Sequence, residues 1–242
     1  MKVRQFSSED SAAVYVATMV ESLMTRETRP VLGLATGATP VNLYQRLVDF
    51  HRQGLSFAHV TTINLDEYVG LPPEHPQSYH RFMREHLFNL IDIPLSQTYL
   101  PDGMALDMES ECQRYDKILE GHPIDLQILG IGRNGHIGFN EPNISLTTRT
   151  HLVDLTVDTL QANARFFQNG AEVPTRAITM GIQSILQAKA IILMAFGWDK
   201  AEAVRRALSG QVSTEVPASL LQMHPNVTFV LDNDSAKLLE EN

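Results

Sequence analysis

Short apolar runs alternate along the chain with longer segments in which apolar residues recur at helical spacing. This alternation is typical of α/β proteins, in which helices connect the strands of a largely parallel sheet. The apolar runs predict strands at residues 31–35, 60–65, 125–130, 151–157, 190–196 and 227–231. The periodic segments predict helices at residues 41–54, 79–91, 108–119, 183–188, 200–208 and 235–240.

Four unusual polar clusters directly follow four of the predicted strands. They read ATGATP, DEY, GRNGH and GWDK, and begin at residues 35, 66, 132 and 197. In open α/β sheets, ligands bind in the crevice beyond the carboxyl ends of the strands. We therefore expect the four clusters to converge on one pocket, although they are far apart in sequence.

The segment ATGATP has the pattern of a turn that leads from a strand into a helix. Thr39 is a candidate N-cap and Pro40 suits the first helical position, so the helix behind them would present free amides. Such a helix terminus, with Thr36 and Thr39 hydroxyls beside it, can hold a phosphate group. A simple β-to-α turn without ligand fits the segment equally well.

The cluster DEY places two acids, Asp66 and Glu67, at the end of an apolar strand. Because side chains alternate along a strand, only one of the two can face a given pocket. A carboxylate in a partly desolvated cleft can act as a general base, since burial raises its pKa. The alternative interpretation is a solvated acidic turn.

The segment GRNGHIGFNEP combines Asn134, His136 and Glu141 with three glycines. Histidine and glutamate transfer protons, asparagine holds hydroxyl groups, and glycine lets a ligand approach the backbone closely. A turn in which the histidine is incidental is the alternative. The convergence of four clusters favours a site.

Two cations are further candidates. Lys200 opens a predicted helix, where the helix dipole disfavours a positive charge, so a bound anion would explain it. Arg165 lies beside two phenylalanines and could equally be a surface side chain whose stem covers apolar residues. No spacing of His, Asp and Glu resembles a zinc hydrolase site, so we predict no metal.

Composition and charge indicate the number of domains, the classes of partner and the cellular location. The 242 residues are 43% hydrophobic and 19% charged, which suits a single globular domain across residues 1–242. The net charge of −9 argues against nucleic acid or an anionic membrane as a partner. The only cysteine, Cys112, and a start without the apolar core of a signal peptide predict a cytoplasmic protein.

The stretches LGLATGATP, NLDEYVGLP, LGIGRNGHIGFNEP, ANARFF and GWDKAEAVRRAL resemble the glucosamine-6-phosphate deaminases, also called isomerases, over essentially the whole chain. The resemblance implies a Rossmann-like fold: an open, mostly parallel sheet with helices on both faces. It also implies conversion of glucosamine 6-phosphate and water into fructose 6-phosphate and ammonia. No organic cofactor or metal is implied.

The same resemblance implies a role for each candidate residue. Asp66 matches the base that moves a proton from C2 to C1 of the open sugar. His136 matches the residue that opens the pyranose ring, with Asn134 and Glu141 orienting it. The implied phosphate ligands are Thr36, Gly37, Ala38, Thr39, Arg165 and Lys200. Some family members have Asp in place of Asn134, so ring opening here depends more on Glu141.

Two rival functions differ from this pattern. The 6-phosphogluconolactonases share the fold but read DGH followed by a Ser-Leu-Phe-Pro type of segment. Sugar-phosphate sensor domains need no proton-transfer residues and carry a DNA-binding module.

Some members are hexamers that N-acetylglucosamine 6-phosphate activates at a subunit interface, through basic residues that follow the FNEP segment. Here Arg149 is kept, but His151 and Val153 stand at two of those positions. We predict no such effector, and a monomer or small homo-oligomer.

Overall fold

The computed structural model describes residues 1–164, 167 and 173–239. In this part of the chain the strands are β1 (Lys2–Phe6), β2 (Val31–Leu34), β3 (Thr61–Asn64), β4 (Asp66–Tyr68), β5 (Thr98–Tyr99), β6 (Leu126–Leu129), β7 (His151–Asp154), β8 (Arg176–Thr179), β9 (Ile191–Ala195) and β10 (Val227–Asp232). The α-helices are α1 (Glu9–Arg26), α2 (Val41–Arg52), α3 (Tyr79–His86), α4 (Met108–Gly121), α5 (Val157–Ala164), α6 (Ile182–Leu186) and α7 (Ala201–Ala207). Short 3-10 helices occupy Phe88–Leu90, Leu95–Gln97, Trp198–Lys200 and Pro217–Met223.

Seven strands form one parallel sheet in the order β1-β10-β9-β6-β2-β3-β5. The strands in its centre are buried along their whole length, as expected for a parallel sheet covered on both faces. Apolar side chains of α1, α2 and α3 pack on one face, and those of α4, α6 and α7 contribute to the core on the other. The predicted open, mostly parallel sheet with helices on both faces is confirmed.

A second, smaller sheet has the order β4-β8-β7 and is antiparallel. Only Leu65 separates β4 from β3, so the chain passes from the large sheet to the small one within one residue. Thr179 of β8 is the partner of Asp66 in the ladder, and also of His151. The small sheet therefore holds the first acid of DEY at the edge of the large one.

The six predicted strands are all present, with ends that differ by up to three residues. The sequence pattern did not predict β1, whose residues are mostly exposed at the sheet edge, the short β4 and β5, or β8. It also missed α1 and α5.

The helix predicted at residues 235–240 is wrong for its described part, because residues 235–238 form turns and residue 239 a bend; Glu240 lies outside the described residues. There Asp232 accepts a hydrogen bond from the Ser235 amide at 2.8 Å, and the Ser235 hydroxyl donates to the Ala195 carbonyl at 2.7 Å. These side-chain contacts offer the backbone an alternative to a helix. Among the described residues, no helix is both long and apolar enough to cross a membrane.

Candidate active site

A cavity of about 730 Å³ lies beyond the carboxyl ends of β2, β3, β6 and β9. All four polar clusters contribute side chains or backbone to its wall. Residues that line it include Ala35, Thr36, Gly37, Ala38, Thr39, Asp66, Gly132, Asn134, His136, Asp199 and Lys200. The structure thus brings together segments that are more than 160 residues apart.

The predicted phosphate loop forms one end of this cavity, at the N-terminus of α2. Gly37 has φ +89°, a conformation that side chains other than glycine rarely adopt. The prediction that Thr39 caps the helix is wrong: Pro40 is the N-cap residue and no side chain makes a capping hydrogen bond. The first amides of α2 are therefore left without a side-chain acceptor, which suits an anion.

Asp66 is the acid of the DEY cluster that faces the cavity. It is buried, and burial raises its pKa to about 8, with the negative charge of Glu67 as a second, smaller cause. Glu67 is also buried but does not line the cavity. The alternation along β4 therefore decides between the two acids, and the interpretation as a solvated acidic turn is wrong.

Asn134, His136 and Glu141 form a hydrogen-bonded group. Glu141 Oε2 lies 3.1 Å from His136 Nδ1 and accepts a hydrogen bond from Asn134 Nδ2 at 2.7 Å. The Asn134 side-chain oxygen accepts from the His136 amide at 3.1 Å. Glycine is required beside this group, since a β carbon at Gly132 would lie 2.3 Å from Cε1 of His136.

The ionisation of Glu141 is opposite to that of Asp66. Burial alone would raise its pKa, but hydrogen bonds and the charge of His136, with further donors from Thr159 and Asn134, lower the pKa to about 2. Glu141 is therefore a carboxylate at neutral pH, and it orients the His136 ring through Nδ1. This leaves Nε2 as the ring nitrogen that can serve a ligand.

Several site residues were missed by sequence reasoning. Thr159 of α5 is buried and its hydroxyl donates to Glu141 Oε1. Tyr79, at the start of α3, and Gln161 of α5 line the cavity. Arg133, also in the cavity wall, pairs with Asp199, with Nε and Oδ2 2.9 Å apart. The spacing Thr156-x-x-Thr159 is typical of a helix start and could have predicted α5. It could not have predicted the contact between Thr159 and Glu141.

The structure describes only one of the two cationic residues predicted to bind phosphate. Lys200 lines the cavity as the N-cap residue of α7. Arg165 lies outside the described residues, so its predicted role stays a prediction. Among the residues that the structure describes, no group of three or more His, Cys, Asp or Glu is arranged to hold a metal ion.

The sequence from residue 5 to residue 230 matches the family model described as glucosamine-6-phosphate isomerases/6-phosphogluconolactonase. The chain belongs to this family. A glucosamine-6-phosphate deaminase from Halothermothrix orenii is 54% identical over 225 residues, which are 92% of this chain and 93% of the relative. Another, from Thermoanaerobacter pseudethanolicus, is 47% identical and covers 100% of this chain and 96% of its own.

Two solved structures of the family differ in how closely their sequence and fold match this chain. A monomeric glucosamine-6-phosphate deaminase superposes with a TM-score of 0.95 at 45% identity, covering 98% of this chain and 100% of that chain. The 6-phosphogluconolactonase from Thermotoga maritima superposes with a TM-score of 0.75 at 19% identity, covering 96% and 99%. At 19% identity, the similarity to the lactonase shows only a shared fold. The deaminases resemble this chain in both sequence and fold.

Proposed function

We propose that this protein is an enzyme that converts glucosamine 6-phosphate and water into fructose 6-phosphate and ammonia, with Asp66 as the proton carrier and His136 as the ring-opening residue. One observation carries the assignment of roles. A buried carboxyl with a raised pKa and a histidine paired with an ionised glutamate open into one cavity, which also contains a helix N-terminus without a side-chain cap.

Ring opening is the first step, because the proton at C2 becomes acidic only once C1 is a free aldehyde. His136 Nε2 takes the proton of the anomeric hydroxyl and delivers it to the ring oxygen, so no net proton is consumed. Glu141 stays ionised and balances the positive charge that His136 carries during this transfer. Asn134 holds Glu141 through its amide group.

Asp66 then moves a proton between two carbons of the open sugar. Its carboxylate removes the C2 proton, and the electron pair of the C–H bond forms the C1=C2 double bond. The electron pair of the C1=O double bond moves to O1, which takes a proton from the ammonium group on C2, and this gives the enolamine. Asp66 returns the proton to C1, and the nitrogen on C2 becomes an iminium. Water adds to C2 and ammonia leaves, which gives the ketone of fructose 6-phosphate. The amine of the substrate activates the carbon, so the step needs no lysine Schiff base.

The phosphate group is held at the other end of the cavity. The amides of residues 36–39, the hydroxyls of Thr36 and Thr39 and the ammonium group of Lys200 supply the binding groups, with Arg165 as a further expected ligand. Binding energy from this remote group holds C2 against Asp66. Truncating the phosphate would therefore reduce kcat as well as raise KM.

We also propose that the enzyme acts in the cytoplasm, in the breakdown of amino sugars such as N-acetylglucosamine, as a monomer or small homo-oligomer without N-acetylglucosamine 6-phosphate activation. Arg149 is already paired with Glu120 at 2.7 Å and lies 3.6 Å from Asp116, so its charge is matched within the chain. A solved relative at 45% identity is described as monomeric. Rate curves that are hyperbolic and unchanged by the acetylated sugar would support this proposal.

The direct test measures ammonia and fructose 6-phosphate released from glucosamine 6-phosphate by the purified protein. Equal molar amounts of both products are expected, and they should fall together in Asp66→Asn. Hydrolysis of 6-phosphogluconolactone in the same preparation is the comparison for the rival enzyme. Lactone hydrolysis without ammonia release would contradict the proposal.

A further inference from the structure

Glu67 is a buried acid next to the proposed base, and the mechanism gives it no task. It is 0% exposed, and it points away from the cavity because side chains alternate along β4. A fully buried carboxyl group costs free energy unless specific partners compensate for it. Its surroundings therefore indicate what it does.

The partners of Glu67 all come from the start of α3 and from its own strand. Oε1 accepts the amides of Tyr68 at 2.8 Å and Tyr79 at 3.0 Å. Oε2 accepts the Ser78 hydroxyl at 2.8 Å and the His80 amide at 3.1 Å. The four donors occupy the acceptor positions of the carboxylate and lower its pKa, while burial, the larger effect, raises the pKa above its usual value.

Tyr79 extends this connection across the cavity. Its amide binds Glu67, it lines the cavity, and its hydroxyl interacts with the side chain of Thr36 in the phosphate loop. The charge of Asp66 also acts on the Tyr79 phenol, which places the two groups close together. A continuous path therefore runs from β4 through the first turn of α3 to the proposed phosphate site.

We propose that Glu67 is a positioning residue that holds Asp66 and the phosphate-binding loop at a fixed separation through the first turn of α3. It does so without touching the substrate. The inference rests on the proposed function of Asp66, because that function makes the separation between C2 and the phosphate important.

The charge of Glu67 supplies a readout that a purely structural role would lack. It adds to burial in raising the pKa of Asp66. Among the described residues, the other titratable groups on which the charge of Asp66 acts are the phenols of Tyr44, Tyr79 and Tyr115, on α2, α3 and α4. Burial raises the pKa of each phenol, so all three are neutral near pH 8. Glu67 is the neighbouring acid that raises the pKa of Asp66.

The test compares three variants with the unmodified enzyme. Glu67→Gln removes the carboxylate and part of its hydrogen bonding, and Glu67→Asp keeps a carboxylate on a shorter side chain. Ser78→Ala removes one of the four hydrogen-bond donors to Glu67. Glu67→Gln should move the acid limb of kcat/KM down by about one pH unit. Both Glu67 variants should weaken fructose 6-phosphate binding, measured by calorimetry, by roughly 3-fold to 10-fold. Ser78→Ala should leave the limb in place and change the affinity by less than about 3-fold.

Circular dichroism of each variant checks that the fold is kept, and Glu67→Asp provides the affinity test if Glu67→Gln does not fold. An unmoved acid limb in folded Glu67→Gln, or unchanged fructose 6-phosphate affinity in Glu67→Asp, would overturn the proposal. Calorimetry requires no turnover, so it tests Glu67 separately from the reaction. Absence of ammonia release by the unmodified enzyme would instead contradict the proposed function.

Discussion

Two buried carboxyl groups of the candidate site have pKa values shifted in opposite directions: Asp66 lines the cavity, and Glu141 contacts it through His136. Asp66 is buried beside another acid, and its pKa is raised to about 8. Glu141 is also buried, yet its pKa is lowered to about 2, because His136, Thr159 and Asn134 donate hydrogen bonds to it. The comparison teaches that hydrogen-bond donors together with a neighbouring positive charge can outweigh burial in setting the pKa of a carboxyl group.

The difference in pKa also suits the two acids to different tasks in the proposed reaction. A group that must take a proton from carbon and give it back works best when its pKa is near the working pH. A group that must stabilise an imidazolium should stay charged throughout. Asp66 meets the first requirement and Glu141 the second.

The largest effect is expected from Asp66→Asn. The amide cannot accept the C2 proton, so kcat should fall by about 10² to 10⁴-fold while fructose 6-phosphate still binds. Steady-state ammonia release and calorimetry measure the two quantities. A variant that keeps more than half of the activity would show that another group moves the proton.

Glu141→Gln should produce the next largest loss. Without the carboxylate, His136 loses its compensating charge, and kcat on the cyclic sugar should drop by roughly 10²-fold. A substrate analogue locked in the open form should lose much less, because ring opening is already done. Parallel kinetics with both compounds separate the steps, and equal losses on both would assign Glu141 to a later step.

Thr159→Val tests one of the three donors that set the pKa of Glu141. Removing this hydroxyl should raise the pKa of Glu141 and lower kcat on the cyclic sugar by about 3-fold to 10-fold, in line with a hydrogen bond to a charged group. Thr159→Ser is the matched control, since it keeps the hydroxyl. If serine and valine behave alike, the hydroxyl has no role and only packing of α5 matters.

The raised pKa of Asp66 also predicts a small effect on stability. The folded protein holds this proton more tightly than the unfolded chain, so the free energy of unfolding falls as the pH rises from about 4 to about 8. Asp66→Asn should remove this loss and stabilise the protein by roughly 1–3 kcal/mol at pH 9, with little change at pH 4. Urea unfolding at both pH values measures it. A destabilised variant at pH 9 would contradict the raised pKa.

The sequence predicted the sheet and the meeting of the polar clusters, because continuous apolar runs and strand ends are local signals. The alternation of side chains alone could not choose between Asp66 and Glu67, since β4 has only three residues and the two acids are adjacent, so the choice of Asp66 came from the family resemblance. The contacts of Thr159 with Glu141 and of Tyr79 with Thr36 join residues 18 and 43 positions apart. Such contacts depend on tertiary packing and leave no periodic pattern.

The most direct test of the comparison is a titration of the side-chain carboxyl carbons by ¹³C NMR, with Asp66 and Glu141 assigned through Asp66→Asn and Glu141→Gln. Asp66 should titrate near pH 8, and Glu141 should show no titration down to about pH 3. An Asp66 signal that titrates near pH 4, as an ordinary aspartate does, would contradict the assignment of Asp66 as the tuned proton carrier.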